Sequence, residues 1–317
     1  MDYDRTGGEF VDIRKTAFLM MCGLVMLWGL DYVLAKKALE VLAPMNLLFL
    51  KYSTGLLLML AVKLKVDRKH WVRPKDIPLF VLCSITGEIL YFFCEYTAMD
   101  YIPVSLITII LSFVPAVSII IERVVFRKKF NAKIVAGVLM CIIGVAVVIG
   151  TDFRELLGGR AIGYVLAFGA VISWNMYNFL TARLGEEYSG VNLAFTQLCC
   201  TVLLVMPYAL HTMPPIEDFT PGVIGGIIYL GFGSAGIGFF IMVNGLKVLG
   251  PTVSAMFSNF LPVTATFFGW LFLGQVIGIS QLIGGVIVIV SSCIVIAEKG
   301  KMEERSNDRE AEPDDAG

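Results

Sequence analysis

The sequence is expected to fold as an all-α integral membrane protein of ten transmembrane helices in two inverted five-helix repeats. Three observations predict this class: ten long apolar runs, Lys and Arg gathered in every second loop, and landmarks that recur after 147 residues. Of the 317 residues, 57% are hydrophobic. The apolar runs lie near 16–35, 44–62, 78–98, 104–122, 132–149, 161–181, 190–210, 222–244, 251–273 and 278–297. Each reaches the length of about 18–23 residues that crosses a bilayer. No water satisfies the backbone in hydrocarbon, so each run is read as α-helix, and the short alternating segments of a β-barrel are not found.

The charges orient the spans. Arg5, Arg14 and Lys15 precede the first span, Lys63 to Lys75 supply six cations between spans 2 and 3, and Arg123 to Lys133 supply five between spans 4 and 5. Arg183, Lys247 and the four cations of the tail fall on the same side. The opposite side holds Lys36, Lys37, Arg154 and Arg160. The positive-inside rule then makes both termini cytoplasmic and the protein a multi-pass resident of the plasma membrane. No cleavable signal segment is read at the start, because the first run follows a mixed-charge stretch and is long enough to span. The seven cysteines lie within or near apolar runs and read as small buried hydrophobes, with neither a disulfide frame nor a metal cluster. No cofactor is called for. The tail from Glu298 carries eight acids against four bases without apolar periodicity, and is expected to be disordered.

Displacing the chain against itself by 147 residues brings Ala98-Met99 onto Gly245-Leu246, Pro115 onto Pro262 and Gly137 onto Gly284, with Trp28 one residue out of register from Trp174. Five spans per half reverse the second half's direction. Such repeats alternate access to a midplane site in transporters. The organisation expected is a cytoplasmic segment (1–15), a first repeat (16–150), a second repeat (151–298) and a cytoplasmic tail (299–317). Pro115 and Pro262 stand mid-span in spans 4 and 9, where proline removes a donor and interrupts the helix. A packing kink and a gating or substrate-binding interruption are both compatible with that placement.

Several of these residues resemble the signature of the EamA family within the drug/metabolite transporter superfamily. They are Trp28-Gly29-Leu30-Asp31-Tyr32, Pro44 followed by the cation Lys51, Ala98-Met99-x-Tyr101, and the two mid-span prolines. The resemblance covers about residues 15 to 298. It implies a helical basket around a central cavity lined mainly by helices 1, 3, 4, 6, 8 and 9, and export or exchange of small metabolites driven by protons or by the substrate gradient. Two departures stand out. The family often closes spans 4 and 9 with Gly-Glu, where this chain has Arg127-Lys128 and Gly274-Gln275, and its usual span-2 arginine is Lys51.

Four ionisable residues sit inside apolar spans: Asp31, Lys51, Glu88 and Glu95. A charge at mid-helix costs roughly 2.5–3.5 kcal/mol to insert, so such residues are functional candidates. Glu88 and Glu95 are seven apart and share a helix face with Tyr91 between them. Three acids against one base favour an amine or organic cation, with Trp28, Tyr32, Tyr91 and Trp174 available for cation–π contact. Glu88 is the expected proton-coupling group. Asp31 and Lys51 may be read equally as a mutual ion pair, and Glu95 as a residue reaching the interface. In the second half Asn178 and Asn244 are the favoured polar candidates, against the alternative that such residues only join helices.

The partners expected are a small-molecule substrate, the lipid bilayer and protons as coupling ion, without nucleic acid; a homodimer is left open. The leading function is secondary transport of amine-bearing compounds, namely amino acids, amines and organic cations. An organic-anion or nucleotide-sugar-like exchanger using Lys51 is the alternative. A membrane-embedded enzyme is the more distant one, since no phosphate loop, His-Glu-x-x-His helix or nucleophile elbow is present.

Overall fold

Helix follows helix along the chain, and no strand occurs among the described residues of the computed structural model, which are 3–125, 127–149, 160–185, 187–249, 257 and 259–311. We label the long helices α1 (Tyr3–Ala38), α2 (Pro44–Val66), α3 (Pro74–Ala98), α4 (Val104–Val124), α5 (Ala132–Ile149), α6 (Arg160–Gly185) and α7 (Gly190–Thr212). They are followed by α8 (Pro221–Ile228, Tyr229–Gly238 and Phe239–Leu249), α9 (Leu261–Leu273) and α10 (Ile279–Ala311). Eight of these helices are long and apolar enough to cross a membrane; the apolar stretches of α5 and α9, Ala132–Val147 and Leu261–Leu273, are shorter. Residues 251–256, expected to open the ninth span, lie outside the described residues.

The outward faces are apolar. Leu57, Leu60 and Leu64 on α2, Leu139, Ile142 and Ile143 on α5, and Ile283, Val286 and Val290 on α10 are all exposed. Soluble monomers rarely leave such continuous apolar stripes bare, so these faces belong against lipid. The chain is a multi-pass membrane protein. Among the cysteines, Cys83, Cys94 and Cys141 are buried as expected, but Cys22 is exposed.

The main packing partners come from different parts of the chain. Helix α5 lies along α10, α2 along α7, α1 against α8 and α9, and α6 against α3 and α4; α8 also packs on α2, and α3 on α7. Each pairing joins a helix before residue 150 to one after residue 159. Helix α8 reaches α2 closely because Gly231 has no side chain: a Cβ there would stand 2.4 Å from Cβ of Thr54.

Among the described residues two helices change winding and one is broken. Helix α3 is π-helical over Ser84–Leu90 and α8 over Tyr229–Gly238. Moved by the 147-residue offset, the first stretch falls on 231–237, inside the second. Helix α4 is interrupted between Leu111 and Val114, and α9 opens at Leu261 after a turn at Asn259-Phe260. Pro115 and Pro262 therefore occupy the first turn of a helical piece, where a missing N–H costs least. The groups exposed by the α4 break find partners: Ser292 Oγ donates to the Ser112 carbonyl at 2.6 Å and Asn175 Nδ2 to that of Val114 at 3.3 Å.

Helices α4 and α9 also finish alike. Gly274 is left-handed at φ 63°, and Gln275 N–H reaches back to the Gly269 carbonyl at 3.2 Å. Arg127, 147 residues earlier, takes φ 53°, and Lys128 N–H reaches the Glu122 carbonyl at 3.1 Å. This closure, spanning six residues at both ends, satisfies carbonyls that a helix end leaves free. The Gly-Glu pattern missing from the sequence is thus replaced at α4 by the same backbone shape on an arginine.

Helix α10 runs on to Ala311, into the segment 299–317 that the sequence expects as a disordered tail; residues 312–317 lie outside the described residues. Good helix formers follow Glu298, and Glu298 pairs one turn on with Lys301 at 2.9 Å.

Ion clusters close the end of the molecule that holds the α2–α3, α4–α5 and α6–α7 loops. Glu122 is buried and paired with Lys128 at 3.1 Å and Lys299 at 2.5 Å, tying α4 to α10. Buried Lys63 pairs with Asp67, donates to the His70 carbonyl and lies 5.3 Å from the Trp71 ring. Asp67 also accepts from Ser189 Oγ at 2.5 Å, which ties this loop to the start of α7.

Two outcomes are expected. Gly274→Ala should lower the melting temperature in detergent, corresponding to about 1–2 kcal/mol of left-handed strain, whereas Arg127→Gly should not lower it. The Ser189 hydroxyl, with His70 and Lys63 assisting against burial, holds the Asp67 carboxyl below the ordinary aspartate range. Its contribution is therefore complete above the unfolded value of about 3.9 and is lost as pH falls through the lower folded value. Asp67→Asn should destabilise at pH 7 by about 1–2 kcal/mol, with the deficit shrinking on acidification below about pH 4 in thermal melts.

Candidate substrate site

Helices α1, α2 and α3 bring together the four ionisable residues read from the sequence, and α6 adds aromatic rings. Lys51 is 3% exposed, and its Nζ lies 3.1 Å from each oxygen of Asp31. The same ammonium donates to Tyr96 Oη at 3.4 Å and stands 4.7 Å from the centre of the Phe92 ring. Asp31 and Lys51 thus form the ion pair that was one of the two readings open to them.

Glu88 lies in the π-helical stretch of α3 and is partly exposed; its carboxylate accepts from the Tyr52 hydroxyl of α2. Glu95, a helical turn and more beyond Tyr91, is 2% exposed, with Tyr32 of α1 and Tyr91 beside it. Its Oε2 has no hydrogen-bond partner among the described residues. The reading of Glu95 as an interface-seeking residue is corrected by this burial. Buried polar atoms are normally satisfied, and the exceptions concentrate where function requires them.

The aromatic side chains form a continuous row. Tyr52 meets Phe92 edge-on at 5.8 Å, Phe92 meets Tyr91 at 4.9 Å, Tyr91 tilts against Trp174 at 4.9 Å, and Trp174 against Tyr177 at 4.9 Å. Tyr177 fits because residue 87 is glycine: a Cβ there would fall 2.1 Å from the ring. Gln197 of α7 accepts from the Tyr177 hydroxyl at 3.0 Å. Glu88, Tyr91, Phe92 and Trp174 are partly exposed, whereas Tyr52, Glu95 and Tyr177 are buried.

The remaining sequence candidates lie elsewhere. Trp28 donates to the Ser234 carbonyl in the π-helical part of α8 at 3.4 Å and packs with Met21, Leu24 and Phe257, apart from the acids. In the same manner Ser173 of α6 donates to the Thr86 carbonyl in the π-helical part of α3 at 2.5 Å. Asn178 is exposed on α6, and the side chain of Asn244 lies outside the described residues. Pro115 and Pro262 shape α4 and α9 as described above. Sequence reading passed over Tyr52, Phe92, Tyr96 and Tyr177. Tyr52 and Tyr96 each directly follow a singled-out charge, and Phe92 lies four residues after Glu88, so that spacing was the available signal.

Removing one member of the Asp31–Lys51 pair should be costly. Asp31→Asn leaves a buried ammonium unpaired and is expected to destabilise by about 3–5 kcal/mol, while Asp31→Asn combined with Lys51→Met should recover most of that loss in thermal melts.

Comparison with known proteins adds the family. The EamA-like transporter family matches residues 15–150 and again 161–297. The chain is 22% identical over 282 residues to the uncharacterized transporter YvbV of Bacillus subtilis, covering 87% of this chain and 90% of that protein. It is 24% identical over 311 residues to protein PecM of Dickeya dadantii, covering 96% and 98%. A probable terminal-alkyne amino-acid exporter of Streptantibioticus cattleyicolor is 22% identical over 227 residues, 70% of this chain and 74% of that one. A crystal structure at 18% identity superposes with a TM-score of 0.62 over 88% of this chain and 98% of its own, which shows a common fold. With the family matched over both halves of the chain, the protein belongs to the EamA-like transporter family.

Proposed function

We propose that this protein is a secondary transporter in the plasma membrane that exports or exchanges small amine-bearing metabolites. The observation that carries the reading is the central cluster: three carboxylates stand against one lysine, that lysine is bound to Asp31, and Glu88 is left with the Tyr52 hydroxyl beside a row of aromatic rings. An acid-rich cluster beside aromatic rings selects positive charge. The name of the Streptantibioticus relative, an amino-acid exporter, agrees with an amine-bearing substrate. The organic-anion alternative loses support, since its cation Lys51 is already neutralised.

Ten spanning helices in two inverted repeats, with both termini cytoplasmic, form the proposed architecture. The matched π stretches, matched helix ends and packing that is unchanged when the halves are exchanged support it. Inverted repeats with interrupted helices carry their substrate near the middle and alternate access by rocking one half on the other. Glu88 is proposed as the proton-coupling group, because a carboxylate that binds either a proton or an ammonium couples the two movements.

Proteoliposomes loaded with a pH-sensitive dye test this. Amine addition should drive proton movement in the wild type, and Glu88→Gln should reduce that movement by about ten-fold or more. Amine flux with no proton movement, unchanged in the variant, would remove Glu88 from coupling. Flux of organic anions alone would remove the amine reading.

A further inference from the structure

We infer that the substrate is an amine without a carboxylate group, held as an ammonium by Glu88 beside the row of aromatic rings; this rests on the reading of the central cluster as the substrate site. The argument begins with the hydrogen-bonding capacity of Lys51. An ammonium has three donors. Those of Lys51 are engaged by two oxygens of Asp31, each at 3.1 Å, and by Tyr96 Oη at 3.4 Å, and the Phe92 ring stands 4.7 Å away. At 3% exposure, that lysine offers no open side to a substrate carboxylate.

The acids have the opposite character. Glu88 is partly exposed and accepts from Tyr52, while Glu95 is buried with Oε2 unpartnered among the described residues. A zwitterionic amino acid placed here would set its ammonium on Glu88 as required, but its carboxylate would enter a cluster already in acidic surplus. An unpaired carboxylate in a low-dielectric site is strongly disfavoured. An arylalkylamine brings the favourable charge and a ring that can extend the packed Tyr91–Trp174 pair at its exposed side, without that penalty. The site therefore discriminates against the class named for the Streptantibioticus relative.

The test uses matched pairs that differ by one carboxylate: phenethylamine against phenylalanine, and tryptamine against tryptophan. Ligand-induced thermal stabilisation of the purified full chain gives an apparent Kd for each. The amine is expected to bind at least about ten-fold more tightly than its amino acid. The double variant Asp31→Asn/Lys51→Met, which removes the pair without leaving a lone charge, should keep that ratio. Equal or tighter binding of the amino acids, or a selective loss of amino-acid binding in the double variant, would overturn the inference while leaving an amine-bearing substrate intact. Stabilisation by organic anions and by none of the four compounds would overturn the underlying reading as well.

Discussion

A lysine buried in the middle of an apolar bundle has to find a negative partner, and the rest of the central architecture is arranged around that requirement. Lys51 meets it by drawing both oxygens of Asp31 across from α1, with Tyr96 of α3 as its third acceptor. Three helices are thereby fastened at one ammonium. A pair of this kind contributes little net stability compared with an apolar equivalent, but breaking it is expensive, so it fixes geometry more than it adds energy. It also settles how charge is distributed: with Asp31 committed, Glu88 and Glu95 remain without a cation in the cluster.

The second constraint is the supply of partners for backbone carbonyls released where helices break or widen. Four of them are met by a side chain from the other half of the chain. Ser173 serves the π-helical part of α3 and Trp28 that of α8, while Asn175 and Ser292 serve the break in α4. Irregular backbone at this depth persists only where protein satisfies it. Winding changes of this kind are often found at functional sites, and Glu88 lies within one of them. The ion clusters around Asp67 and Glu122 add a second set of ties at one end of the bundle. Opening that end would require those charges to separate.

Much of this was legible in the residues. Apolar run length marked the helices, because a hydrocarbon layer dictates both their length and their regularity. The four intramembrane charges were legible as a group, since each is costly to insert and few residues carry that cost. The recurring prolines located the interruption in α4 and the start of α9. The hydrogen bond of Trp28 to the Ser234 carbonyl of α8 was not legible, because it joins residues far apart in the chain. The left-handed Arg127 was also hidden, as its residue type gives no sign of that conformation.

The division follows from the range of the forces. Hydropathy and charge act along the chain, and the sequence by itself determined that this is a helical, multi-pass chain whose first-half spans hold three acids, Asp31, Glu88 and Glu95, against the one base Lys51. Whether Lys51 binds Asp31 or waits for a substrate depends on a separation of 3.1 Å between helices. So does the row of rings from Tyr52 to Tyr177, which needs Gly87 to admit the last of them. Only the tertiary structure decided those points, because short-range contacts between helices depend on rotation and crossing angle, which no periodicity within a single helix encodes.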